Sequence, residues 1–235
     1  MNIGILYNSF VCFVSGFSSL LVFLSLRRIR KKEKVNYSQN LDYFLLFLGL
    51  LWVSVGTRIF VNWFNNLTLD NFFYQWFVGP LTYIHLVPAF YYFGWSFFSD
   101  KKIRTLFNAF FTFMSSLAVL THFLYKFERP ELTYWGNNII PNPLTNKIFI
   151  FGIFIPAIPC IIIETARRFK KWRKTGDLAE RQLFGFSLGF LVYTITGFFE
   201  AVIFTQGWQI IIARICIMLV PLTFYLFSAF SLEEE

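Results

Sequence analysis

The sequence predicts an all-α fold: a polytopic membrane protein in which residues 1–235 form one bundle of seven transmembrane helices. The first observation is composition, because 56% of the residues are hydrophobic, 22% are aromatic and only 14% are charged. A soluble domain is about a quarter charged. The second observation is seven apolar stretches, each close to the roughly 20 residues that cross a bilayer. These spans are about 5–26, 42–65, 72–98, 103–125, 147–165, 182–205 and 208–231.

The basic residues predict the orientation of the bundle. Sixteen of the 21 lysines and arginines fall in the segments that follow spans 1, 3 and 5, all on one side of the membrane. The opposite side has Lys126, Arg129 and Lys147. Because cytoplasmic loops carry the excess of lysine and arginine, the N-terminus is predicted outside and the C-terminus in the cytoplasm. The net charge of +8 is thereby explained as topology, and nucleic acid is not expected as a partner.

The chain lacks the residues that several kinds of cofactor and metal site require. Cys12, Cys160 and Cys216 all lie within apolar spans without a CxxC partner, so neither a disulfide framework nor a metal site is indicated. Two histidines are too few for a histidine-rich metal centre. Span 7 has no lysine for a retinal Schiff base. We therefore expect no cofactor.

Spans 6 and 7 each contain one charged side chain at the same depth. Glu200 lies six residues before Gln206, and Arg214 lies seven residues after Gly207, in the polar turn that joins the two spans. At 1.5 Å per residue, both charges lie roughly 10 Å below that turn. A lone charge within a membrane helix costs at least about 2.5–3.5 kcal/mol. We therefore predict that Glu200 and Arg214 pair inside the bundle.

Five spans carry a polar or small face at the i, i+3, i+4, i+7 spacing of a helix, which predicts the side that faces the bundle interior. In span 6 this face includes Gly185 and Gly189, a GxxxG pair that allows another helix to approach closely. The predicted inward residues are Ser54, Arg58 and Asn62; Thr82, His85, Pro88, Tyr92 and Ser96; Asn108, Thr112, Ser115 and His122; Gly185, Gly189, Tyr193, Thr196, Gly197 and Glu200; Arg214, Pro221, Tyr225 and Ser228.

Arg58 is predicted at the same outer-third depth as Glu200 and Arg214, which would leave two cations facing one anion. One interpretation is a structural ion-pair network that fixes helix packing. The other is an outward-facing pocket for a ligand with an anionic or polar group, since intramembrane charge is often functional. His85, near mid-membrane, is either bonded to a neighbouring helix or in contact with a ligand. The predicted pocket is formed by Arg58, His85, Glu200 and Arg214, together with Tyr92 and Tyr193 on the polar faces of spans 3 and 6.

Three segments resemble the N-terminal seven-helix sensor region of prokaryotic histidine kinases and related signalling proteins. Span 3 runs WFVGP at 76–80 and LVPAF at 86–90, similar to the family's aromatic third span with a mid-helix proline. The basic segment from Arg167 to Gly185 contains the Arg-Gln pair that precedes a glycine-bearing span. Span 7 then leads into SLEEE at 231–235. The resemblance implies a prokaryotic plasma-membrane protein, although no kinase, cyclase or PAS domain follows within the chain.

The leading hypothesis is a sensory or receptor module and not an enzyme. A small or lipidic ligand would bind in the outer-half pocket, and a helix shift would reach a cytoplasmic signalling domain or partner protein. Membrane lipids are the other expected partners. Two alternatives stay open. A small transporter would need a polar path to both sides, commonly with an internal repeat. A lipid-modifying enzyme would have to use His85, Glu164 and Glu200, although Glu164 is better explained by an ion pair with Arg167 and Arg168.

Overall fold

The chain folds as a set of long helices joined by short connections. The computed structural model describes residues 2–33, 39–128, 132–136, 139–202 and 207–229, with backbone alone at 29–33, 201–202 and 228–229. Its helices are α1 Ile3–Glu33, α2 Gln39–Trp63, α3 Leu67–Phe73, α4 Gly79–Ile84, α5 Val87–Phe97, α6 Lys101–Leu124, α7 Pro143–Phe149, α8 Ile155–Thr175, α9 Leu178–Val202 and α10 Gln209–Ala229. Two π-helical turns, Tyr74–Val78 and Ile150–Phe154, connect α3 to α4 and α7 to α8.

Six helices of the described residues are long and apolar enough to cross a membrane. They are Ile3–Arg28, Gln39–Trp63, Lys101–Leu124, Pro143–Thr175, Leu178–Glu200 and Gln209–Phe227. The outward sides of these helices carry large apolar side chains, whereas Arg58, Glu164 and Arg214 are at most 2% exposed. Apolar residues outside and charges inside reverse the pattern of a soluble protein. The fold is therefore that of a helical integral membrane protein.

The stretch predicted as span 3 is divided into shorter pieces. Residues 67–97 form α3, a π-helical turn, α4 and α5, and the residues at the three junctions keep right-handed helical dihedral angles. Pro80 and Pro88 lie at the starts of α4 and α5. Because proline has no N–H to donate to residue i−4, the regular ladder is interrupted at these two points. Span 5 is divided in the same way, with a π-helical turn before Pro156.

Side-chain caps fix where several helices begin. Asp100 accepts hydrogen bonds from Lys102 N (2.6 Å) and Ile103 N (3.3 Å) at the start of α6. Asn142 accepts from Leu144 N (2.9 Å) at the start of α7, where Pro143 needs no partner. At the other end, α8 stops at Gly176, whose φ of +66° suits glycine. The basic segment predicted as a loop after span 5 is therefore helical as far as Thr175, and the predicted boundary at 165 was wrong.

Consecutive long segments run in opposite directions, whereas α3, α4 and α5 continue one another, as do α7 and α8. This arrangement gives the bundle two distinguishable ends. We call the end at which α1 and α2 are connected, and at which α8 meets α9, the basic end. The other end, where α2 meets α3 and residues 125–142 connect α6 to α7, is called the loop end. The bridge between Glu128 and Ile140 closes this connection on itself. Which end faces the cytoplasm stays a prediction.

Close helix contacts involve glycine, as the GxxxG pair in span 6 predicted. A Cβ atom on Gly185 would lie 2.2 Å from the Cβ of Phe227, and one on Gly189 would lie 2.6 Å from the ring of Phe224. Both contacts are with α10, so the predicted close approach is confirmed. The stripe predicted for α10 was wrong at Tyr225, which is 49% exposed, because the neighbouring Phe224 occupies the buried face. Residues 205–206 of the predicted turn and 231–235 of the predicted exit lie outside the described residues, as does the side chain of Ser228.

Candidate functional site: a charged cavity at the loop end

A cavity of about 170 Å³ lies in the loop-end half of the bundle. It is bounded by α2, α4, α7, α9 and α10, by the two π-helical turns, and by residues 139–141 of the connection between α6 and α7. Tyr74, Val78 and Phe154, which belong to the π-helical turns, lie in its wall. Single π turns within helices are frequent at functional sites. The two π-helical turns of the described residues thus lie at this cavity. The full lining is Leu51, Trp52, Val55, Arg58, Tyr74, Val78, Thr82, Tyr83, His85, Ile139, Ile140, Pro141, Asn146, Phe149, Phe154, Tyr193, Gly197, Glu200, Arg214 and Ile217.

The predicted ion pair between Glu200 and Arg214 is confirmed. Arg214 Nε donates to Glu200 Oε1 at 3.1 Å, and both residues line the cavity. The Arg214 side chain is 1% exposed and the Glu200 side chain 14%. Arg214 Cζ also lies 6.0 Å from the ring centroid of Trp52, at the limit of a cation–π contact. Asn8 supplies a further hydrogen-bond acceptor, so the Arg214 guanidinium contacts Glu200, Trp52 and Asn8.

Asn8 joins this ion pair to the segment between α6 and α7, which contributes residues 139–141 to the cavity wall. Its side-chain oxygen accepts a hydrogen bond from Arg214 Nη1, and its side-chain nitrogen donates to the backbone oxygen of Trp135 at 2.6 Å. Tyr134, beside Trp135, packs against Gly4, where a Cβ atom would lie 2.5 Å from the Tyr134 carbonyl oxygen. The first turns of α1 thus hold residues 132–136 in place, and the Asn8 amide contacts both the cavity arginine and this segment.

Arg58 is paired with an acid that the sequence reasoning overlooked. Arg58 Nη1 lies 3.6 Å from Asp70 Oδ1, and the two side chains are 3% and 0% exposed. The expected excess of positive charge at this level was wrong, because it counted Glu200 alone as the anion. The predicted spans 42–65 and 72–98 leave Asp70 in the connection between them. In the structure it lies on α3, in the helical stretch that continues the third predicted span toward the loop end.

His85 is engaged with a neighbouring helix, one of the two roles that the sequence left open. Its Nδ1 lies 2.9 Å from the backbone oxygen of Leu81, and its Nε2 is hydrogen-bonded to the hydroxyl of Tyr193 on α9. His85 and Tyr193 both line the cavity. Tyr92 does not line it. That side chain is fully buried and its ring contacts Phe93 and Trp95 on α5, about two turns closer to the basic end than His85.

A layer of phenylalanine rings lies on the basic-end side of the cavity. This aromatic layer consists of Phe44, Phe93, Phe190 and Phe224, each at most 1% exposed. The ring centroids of Phe44 and Phe190 are 4.3 Å apart, and Phe190 lies 5.4 Å from Phe93 and 5.6 Å from Phe224. These distances are those of direct aromatic contact. Helices α2, α5, α9 and α10 therefore close on one another below the cavity.

A second group of charges joins α5, α8 and α9 at the basic end. Glu164, which is fully buried, pairs with Arg167 at 2.6 Å and with Arg168 at 2.7 Å, as its sequence position suggested. Arg168 also contacts Glu180 at 2.9 Å and Ser96 Oγ at 2.7 Å. Glu164 does not line the cavity. The three residues that a lipid-modifying enzyme would need, His85, Glu164 and Glu200, are therefore not gathered at one site.

Sequence reasoning missed Asn8, although a signal for it exists. Asn8, Cys12, Ser15 and Ser19 recur at helical spacing along α1, and each is at most 1% exposed. This stripe marks the buried face of span 1 in the way that the polar stripes mark five other spans. Asp70 is the only acidic residue between Asp42 and Asp100, which makes it a natural partner for Arg58.

No protein-family model, curated protein or solved structure matches this chain. The fold and the site define a helical integral membrane protein with a charged cavity in one half of its bundle.

Proposed function

We propose that this protein is a seven-helix membrane receptor module that binds a small amphipathic ligand in the cavity at the loop end. In this proposal residues 67–97 supply the seventh membrane crossing, next to the six long apolar helices. The loop end faces outward and the basic end faces the cytoplasm, in keeping with the distribution of lysine and arginine. The observation that carries the proposal is a cavity with buried charges on the loop-end side of the packed aromatic layer.

The wall of the cavity combines the two features of a ligand site. Most of its lining is apolar, with Trp52, Phe149 and Phe154 among the larger side chains. Its polar groups converge from separate helices, since Arg58, His85, Glu200 and Arg214 come from α2, the turn after α4, α9 and α10. Small-molecule sites are typically apolar pockets with a few convergent polar groups. An ion pair with a purely structural role would not require a cavity beside it.

The proposed signal is a change in the packing of α9 and α10. Both helices contribute cavity residues at the loop end, and they pack closely at the basic end through Gly185 and Gly189. A ligand shifts such an arrangement only if it binds one packing more tightly than another. The output would be a cytoplasmic signalling domain or a partner protein at the basic end.

Access to the cavity tests this function against the transporter alternative. In a background without the three native cysteines, Thr82→Cys in the cavity wall would be treated with a membrane-impermeant thiol reagent in sealed vesicles. Ser99→Cys and Thr68→Cys, exposed at the basic end and the loop end respectively, mark the two sides. We expect Thr82→Cys to react when the reagent is on the side at which Thr68→Cys is labelled. It should not react when the reagent is on the side at which Ser99→Cys is labelled. Reaction from both sides would favour a transporter, and no reaction from either would contradict an accessible ligand site.

Spin labels test the proposed relay. Leu24→Cys on α1 and Leu226→Cys on α10 are 56% and 39% exposed, near the basic end. Their distance distribution would be compared between the wild-type cavity and Gly197→Leu, which places a side chain in the space where a ligand would sit. Gly197 tolerates an added Cβ, whose nearest neighbour would be Phe154 at 3.5 Å. A shift between the two distributions is expected, and identical distributions in the filled and unfilled states would contradict the relay.

A further inference from the structure

The charges around the cavity are balanced, and this balance limits what the cavity can hold. Arg58 is paired with Asp70 at 3.6 Å, and Arg214 is paired with Glu200 at 3.1 Å. Among the described residues that line the cavity, Arg58, Glu200 and Arg214 carry formal charge, and Asp70 lies directly behind Arg58. Two cations thus face two anions. An occupant with a net charge would leave one uncompensated charge in an apolar interior.

The arginines present almost no surface to an occupant. The side chains of Arg58 and Arg214 are 3% and 1% exposed, whereas that of Glu200 is 14% exposed and lies in the cavity wall. The accessible ionic group is therefore a carboxylate, an acceptor of hydrogen bonds that has no proton to donate when ionised. An anionic group in the cavity would find almost no guanidinium surface to pair with and would lie beside this carboxylate. The sequence predicted a ligand with an anionic or polar group, and the pairing disfavours the anionic kind.

We infer that the ligand is an uncharged amphipathic molecule whose hydroxyl or amide group donates a hydrogen bond to Glu200, with its apolar part against Trp52, Phe149 and Phe154. This inference rests on the proposed function, because it assigns the ligand class of the same cavity. An uncharged donor satisfies the carboxylate and leaves the two ion pairs balanced. An ammonium group would also satisfy the carboxylate but would add a net buried charge, which carries a large desolvation cost.

Three photoreactive probes would test the ligand class on the whole 235-residue chain in lipid nanodiscs. The probes share one alkyl-diazirine chain and end in a hydroxyl, a carboxylate or a trimethylammonium group. Labelled residues are identified by mass spectrometry of peptides. Cavity labelling is defined as labelling that is lost in Gly197→Leu, which fills the cavity, and kept in Ile195→Phe, which adds bulk on an exposed face of the same helix.

We expect the hydroxyl probe to label the cavity at least about tenfold more than either charged probe, because only the charged probes leave an unbalanced charge in the interior. Preferential cavity labelling by the carboxylate or the trimethylammonium probe would overturn the ligand class and leave the cavity as a binding site. Absence of cavity labelling by all three probes would contradict the proposed function itself. The two failures are therefore distinguishable.

Charge-changing variants test the balance directly. Glu200→Gln leaves the cavity wall with one excess positive charge and should raise the ratio of carboxylate to hydroxyl labelling. Arg58→Gln leaves one excess negative charge and should raise the ratio of trimethylammonium to hydroxyl labelling. Unchanged ratios in folded, monodisperse variants would overturn the inference. If neither variant folds, the ranking of the three probes on the wild-type protein still tests whether the ligand is uncharged.

Discussion

Asn8 and Arg214 lie 206 positions apart in the chain, yet the Arg214 guanidinium donates a hydrogen bond to the Asn8 side-chain oxygen. The same amide donates to the backbone of Trp135 in the connection between α6 and α7. One buried side chain on α1 thus joins an ion pair in the cavity wall to the segment beside the cavity. A change in the position of Arg214 has a direct route to residues 132–136.

Removal of the Asn8 amide should loosen that segment. In Asn8→Ala, Trp135 O loses a 2.6 Å hydrogen bond from a residue that is 1% exposed. A net hydrogen-bond contribution of about 0.5–1.5 kcal/mol predicts roughly two- to tenfold faster hydrogen exchange at the amides of residues 132–136. Asn2→Ala is the matched control, since its bond to Thr133 O is long at 3.5 Å. Equal exchange rates in wild type and Asn8→Ala would argue against the link.

The two partners of the Glu200–Arg214 pair should be energetically coupled. Glu200→Gln leaves a guanidinium that is 1% exposed without its carboxylate, and loss of one partner of a buried pair costs about 3–5 kcal/mol. Glu200→Gln, Arg214→Gln and the double variant would be compared by unfolding in detergent. We expect the double variant to be less destabilised than the sum of the single variants, with a coupling of about 1–3 kcal/mol. Additive effects would show that the pair is energetically unimportant.

The two glycine environments of α9 predict opposite responses to alanine. Gly185→Ala places a Cβ atom 2.2 Å from Phe227 on α10, so α9 and α10 must separate. Forced overpacking of this kind typically costs about 1–3 kcal/mol. Gly197→Ala meets its nearest neighbour at 3.5 Å and should leave the melting temperature unchanged or slightly raised, because alanine favours helix more than glycine does. A similar loss of stability in both variants would contradict the close approach of α9 and α10.

At the basic end, the two neighbouring arginines of α8 should differ in importance. Arg168 is 10% exposed at its side chain and joins Glu164 on its own helix to Glu180 on α9. Arg167, whose side chain is 43% exposed, contacts Glu164 at 2.6 Å. We expect Arg168→Gln to lower the stability by about 3–5 kcal/mol, since it leaves two buried carboxylates undercompensated. Arg167→Gln should lower the free energy of unfolding by less than about 1 kcal/mol, because half-exposed ion pairs contribute little. Unfolding experiments in detergent would rank the two, and the reverse order would contradict this network.

The sequence by itself determined the helical, membrane-embedded character of the chain and the pairing of Glu200 with Arg214. Both follow from local information. Apolar length defines a spanning helix, and two charges at equal distances from a short turn lie at equal depth on adjacent antiparallel helices. The close contact of α9 at Gly185 was predictable for the same reason, since small residues four apart share one face.

Only the tertiary structure decided which remote groups share the cavity. Asp70 balances Arg58, Asn8 reaches Arg214, and Tyr92 lies near Trp95 instead of beside His85. Helical periodicity defines the face on which a side chain lies, but it does not define which of several helices will pack against that face. That choice depends on the fit of side chains over the whole bundle, including the two π-helical turns and the segment between α6 and α7. The charge balance around the cavity, and with it the proposed class of ligand, is therefore a property of the folded chain.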